Sequence, residues 1–118
     1  MFTLCDAEER FRTTLVEAAE QINAQMYCVL REVDAADVAV SLGGPEFREC
    51  CVTARLAAEY AYDLRKVALA ARHGLVAIGL LAGEDEDTYR TLVADCDTML
   101  ALMAKVRMLQ DQREAVAF

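Results

Sequence analysis

A single proline, Pro45, interrupts a chain of 118 residues, and it stands directly behind the pair Gly43-Gly44. Proline and glycine are the residues that stop helices and turn chains, so their positions bound what can form between them. The other three glycines, Gly74, Gly79 and Gly83, are gathered late in the middle of the chain. What lies between is dominated by alanine, leucine, valine, glutamate and arginine, most of which lose little freedom on entering a helix. Few breakers and no alternating strand rhythm predict long helices.

The first helix is expected over 6–33. Asp6 followed by Glu9 has the form of a capping box, with acids in the first turn. Phe11, Leu15, Ala18, Ile22, Met26, Val29 and Val33 follow at steps of 4, 3, 4, 4, 3 and 4, one apolar stripe in a helix. Residues 35–42 read as a short extra helical element before the Gly43-Gly44-Pro45 break. Pro45 suits the first position of the second helix, expected to reach about residue 82. Its alanines (Ala54, Ala57, Ala58, Ala61, Ala68, Ala70, Ala71) occur on more than one face and would let neighbours approach closely. Leu56, Tyr60, Leu64, Val67, Leu75 and Ile78 would fill the larger gaps, with a kink or break near Gly74. Gly83 reads as the glycine that closes this helix, and Glu84 to Asp87 as the acidic start of a third, running to about Glu114 with Tyr89, Leu92, Cys96, Met99, Met103 and Val106 inward.

These elements predict an all-α fold: an antiparallel bundle of three long helices forming one domain over 1–118, with the short extra helix at 35–42. Steps of three and four suit near-parallel packing of the coiled-coil kind. Three helices leave a thin core, so a homodimer is a second expectation. The longest uncharged apolar run, residues 74–83, is about half of what a bilayer crossing needs. The N-terminus turns charged within six residues and has no basic leader pattern. The expected setting is cytoplasmic, without membrane attachment.

Charge narrows the classes of function. The chain carries twenty acids and twelve bases, a net charge of −8, with net −5 over 1–45, +1 over 46–83 and −4 over 84–118. An acidic surface of this kind disfavours direct nucleic-acid binding and suits a partner protein with a basic or apolar surface.

Catalytic and metal-ligating patterns are missing. The single histidine, His73, has Ala70 three residues before it, so the Glu-x-x-His of di-iron bundles is absent. Histidine phosphotransfer domains place a histidine four residues before a glycine, and Ala70 holds that position ahead of Gly74. The five cysteines show no Cys-x-x-Cys, and neighbours Cys50 and Cys51 point about 100° apart on a helix. The only serine, Ser41, sits in VSLGG, outside any nucleophile elbow or phosphate loop. No catalytic residue, cofactor or metal is therefore expected.

Recognition through surface remains. The expectation is a small, acidic, non-enzymatic protein-binding module: a chaperone, adaptor or inhibitor. In size, charge and helicity alone it is similar to small acidic helical secretion chaperones; no motif carries the likeness. The candidate partner-binding residues are the acids Glu84, Asp85, Glu86 and Asp87, and the apolar Leu102, Leu109 and Val116 of the third helix. Two alternatives accompany this reading. One is a helical subunit of a larger assembly, with Arg48, Arg55 and Arg72 as a basic edge toward nucleic acid. The other is an acidic inhibitor that mimics nucleic acid through its carboxylates.

Overall fold

The computed structural model describes residues 3–40 and 44–116, with side chains through Ala115. Three helices account for nearly all of it: α1 over Leu4–Ala39, α2 over Pro45–Ala77 and α3 over Gly83–Val116. The fold is an all-α bundle, and among the described residues there is no strand. The helices run up, down and up. Gln21 meets Tyr60, Arg65 meets Asp97 and Asp37 meets Lys105, which sets α2 antiparallel to both of its neighbours and α1 parallel to α3. The bundle is a rod, 64 × 23 × 17 Å.

The cap of α1 lies three residues before the expected one. Thr3 is the N-cap: its hydroxyl accepts from the Asp6 N–H at 3.2 Å, while the Asp6 carboxylate accepts from the Thr3 N–H at 3.0 Å. Asp6 is thus the returning acid of a capping box rather than its first residue. At the other end, α1 does not stop at Val33. Ala36 and Ala39 are buried and extend the same stripe, so residues 35–39, expected to open a separate short helix, are instead the last turns of α1. Residues 41–43, Ser41 included, lie outside the described residues.

Gly44 adopts φ 92°, a left-handed conformation that suits glycine, and Pro45 opens α2 behind it. Helix α2 passes through Gly74 unbroken and ends at Ala77, not at residue 82. The closing glycine is Gly79, at φ 72°. The Gly79 N–H donates to the Val76 carbonyl and the Leu80 N–H to the Leu75 carbonyl, both at 3.0 Å, the paired bonds of a Schellman cap. Gly83, expected as that cap, is instead the first residue of α3.

The core has two characters. Leu15, Ile22, Val29 and Val33 from α1, and Leu92 and Met99 from α3, are almost fully buried. Helix α2 contributes mainly alanine to the same core: Ala54, Ala57, Ala61, Ala68 and Ala71, with Phe47, Cys51 and Leu75. Small side chains let the α2 backbone lie close to its neighbours, so less apolar volume is needed between them.

Candidate partner face and the acidic turn

The acidic run at 84–87 divides into two pairs. Asp85 is buried, only 3% exposed, and is the fixed point of the bundle end. The Arg12 guanidinium grips it bidentately, Nε to Oδ1 and Nη2 to Oδ2, both at 2.9 Å. Asp85 Oδ2 also accepts from the Ala82 N–H at 2.9 Å, reaching back to the residue before α3 as the third residue of a capping box does. Arg12 further donates to Glu8 at 2.5 Å and to the Leu80 carbonyl at 3.2 Å. One arginine thereby joins α1, the α2–α3 connection and the start of α3. Arg12 holds the Asp85 carboxyl below the usual carboxylate range, and the Ala82 hydrogen bond helps; burial pushes the other way and loses.

Glu86 is half-buried and paired with Arg72, whose guanidinium also lies over the Tyr89 ring at 5.5 Å from its centre. Only Glu84 and Asp87 stay exposed. As a presented patch of four carboxylates the cluster is therefore corrected to two, because Arg12 and the helix start draw Asp85 inward and Arg72 engages Glu86.

The apolar candidates on α3 also change place. Leu109, expected to contact a partner, is 2% exposed and part of the core. It is buried because α1 runs to Ala39 and α2 begins at Pro45, so both neighbours cover that end of α3. Leu102 is half-buried against the core. The Val116 side chain lies outside the described residues. Arg72, expected in line with Arg48 and Arg55, turns instead toward α3 and Glu86.

The helix richest in exposed large apolar side chains is α2, which the sequence did not mark as a partner face. Val52, Leu56, Tyr60, Tyr62, Val67, Leu69 and Val76 of α2 are all exposed, between 37% and 59%; among the described residues of α3, Leu100 and Met108 are large, apolar and exposed. Among the described residues α2 carries seven exposed large apolar side chains, against five on α1 (Leu4, Val16, Tyr27, Leu30 and Val38) and two on α3. The residues form two bands. Leu56, Tyr60 and Val67 follow the edge toward α1, where the Tyr60 hydroxyl donates to Gln21 Oε1 at 2.8 Å, whereas Val52 lies by the α2–α3 cleft at the start of α2. Tyr62, Leu69 and Val76, at seven-residue intervals, follow the edge toward α3. The Arg65–Asp97 pair, at 3.8 Å, sets a register that brings Leu100 level with Tyr62 and half-buried Val93 level with Leu69. The second band is thus lined from both helices.

Helix α2 is inverted relative to an ordinary amphipathic helix, with alanine inside and leucine, valine and tyrosine outside. A signal for this was present in the heptad positions 54, 61 and 68, all alanine, which together mark one inward line.

Among the described residues no group of His, Cys, Asp and Glu could hold a metal ion, and His73 is exposed. No helix in the same set is long and apolar enough to cross a membrane. All five cysteines are free thiols; burial pushes the Cys50, Cys51 and Cys96 thiols up, the reverse of what a reactive thiolate requires. No known family, no curated protein and no solved structure matches this chain.

Proposed function

We propose that the protein is a non-enzymatic protein-binding module whose docking face is the outer surface of α2. The observation that carries this reading is the composition of that helix: its core positions hold mainly alanine while seven large apolar side chains are exposed. Scattered exposed hydrophobes are normal on any protein. Their concentration along one helix, recurring at heptad spacing, is a different matter, since clustered apolar surface marks interaction sites. The band between α2 and α3 has walls from both helices, as a groove for an amphipathic partner helix does. Exposed Glu84 and Asp87 lie at the end of the bundle that Val76 approaches, and they add a rim favouring a basic flank on the partner.

The test is substitution on the surface followed by two readings. Leu69→Gln and Val76→Gln, and separately Leu56→Gln and Val67→Gln, are expected to leave the thermal midpoint within a few degrees of wild type. A stoichiometric partner isolated from the native host is expected to be lost with one pair, and amide exchange in the complex to be slowed along α2. Retention of that partner by both double variants would exclude α2 as the docking face. Concentration-dependent dimerisation of the pure protein, abolished by the same variants, would make the occupant a second copy.

A further inference from the structure

A cleft of about 550 Å³ opens between the first turns of α2 and the last turns of α3, at the opposite end of the rod from Arg12 and Asp85. Phe47, Arg48, Cys51, Arg55, Arg113 and Glu114 are among the residues that line it. Three arginines against one glutamate reverse the sign of a chain whose net charge is −8. Moreover, these arginines are not neutralised. Arg12, Arg65, Arg72 and Lys105 are ion-paired, whereas among the described residues Arg48 and Arg55 are in no ion pair. Arg113 is held by its Nη1 donating to the Val40 carbonyl at 3.4 Å and by stacking over the Phe47 ring at 5.8 Å, contacts that orient it and leave its charge intact.

We propose that this cleft binds a compact anion with more than one charged group, a pyrophosphate or small organic phosphate, held by Arg48, Arg55 and Arg113. Arginine is the side chain suited to bidentate contact with phosphate oxygens. Arg48 and Arg55 are seven residues apart on one side of α2, about 10.5 Å along its axis, so they converge best on a ligand with two anionic groups. The cleft falls within the roughly 300–1,000 Å³ typical of small-molecule sites. Cys51 adds no opposing charge, because burial keeps its thiol protonated. The remaining acidic surface selects for compactness. An extended polyanion would lie along carboxylates, whereas a ligand inside the cleft meets the arginines first, within a screening length of about 10 Å at 0.1 M salt. The positive end of the α2 dipole lies at the same place and adds to the field, although the three guanidinium groups define the site.

The experiment is calorimetric titration of the full chain with sodium pyrophosphate at low ionic strength, on wild type and on Arg48→Gln, Arg55→Gln and Lys66→Gln. Lys66 is an exposed cation of the same helix that lies outside the cleft and serves as the charge-matched control. Saturable binding below about 1 mM is expected. Each arginine variant is expected to weaken it at least about tenfold, with Lys66→Gln close to wild type. Circular dichroism melts verify that the exposed-site variants remain folded. Absence of saturable binding to the wild type overturns the proposal, and so does an equal loss in Lys66→Gln, which would mean diffuse attraction. Tighter binding of a single-stranded oligonucleotide than of pyrophosphate also overturns it.

Discussion

The ring of Phe11 in α1 occupies the space that a side chain at Gly74 in α2 would fill: a Cβ built there would lie 2.5, 2.6 and 2.7 Å from three ring carbons. Glycine inside a helix costs about 1 kcal/mol relative to alanine, and here it is offset by the close seating of an aromatic ring. Gly74→Ala is therefore expected to lower stability, by about 1 kcal/mol net once the displaced ring is set against the propensity gain. With Phe11→Ala already in place the same substitution is expected to become stabilising. A double-mutant cycle in urea reads the coupling, and additivity would contradict the packing described.

The Arg12–Asp85 pair has a pH signature. Arg12 lowers the Asp85 pKa in the folded state, so the stability it confers is present above the unfolded value and is lost as pH falls through the folded one. Asp85→Asn is expected to cost about 1–3 kcal/mol at neutral pH, as loss of charge-assisted hydrogen bonds does. The gap to wild type should close below about pH 4, as the wild-type carboxyl itself protonates. Urea midpoints measured across pH for both proteins check this; a constant gap down to pH 2 would disprove it.

Gly79 and Gly83 should respond in opposite directions. Gly79 is left-handed, and Gly79→Ala is expected to cost about 1–2 kcal/mol although the space around it is open. Gly83 has open space too and sits in the first turn of α3, so Gly83→Ala is expected to gain up to about 1 kcal/mol. Thermal melts of the two variants give the comparison.

Truncating leucines should report which helix is inverted. Leu109→Ala removes a core side chain and is expected to cost about 2–5 kcal/mol. Leu56→Ala, at 59% exposure, is expected to stay within about 0.5 kcal/mol of wild type. Comparable losses at both sites would place Leu56 in the core after all.

Thiol labelling should follow burial. Cys5 is exposed, whereas Cys51 and Cys96 are 2% exposed with raised pKa values. Under native conditions an aromatic disulfide reagent is expected to modify Cys5 first and to reach Cys51 and Cys96 only on unfolding. Peptide mapping by mass spectrometry resolves the order.

Helix number, order and type were legible because breakers are so few and the α1 stripe so regular; its members from Phe11 to Val33 are buried or half-buried. The α3 stripe was legible for the same reason. On α2 the reading failed by a face: Leu64, Leu75 and Ile78 point inward, but Leu56, Tyr60 and Val67 do not. Hydrophobicity ranks leucine above alanine, whereas close helix approach selects alanine, and the second effect governs this interface. Asp85 was illegible as a buried group because its partner lies 73 residues away. The arginine cleft escaped notice for a related reason: Arg113 joins Arg48 and Arg55 only through tertiary register.

The Arg12 junction also orders assembly in time. Helices α1 and α2 both precede Asp85 in the chain, and without it Arg12 has only Glu8 within its own helix and the Leu80 carbonyl to hold. Its strongest ligand arrives with the first turn of the last helix. A nascent or truncated chain ending ahead of residue 85 therefore carries an unlatched hairpin, and the latch closes only with the element it must hold.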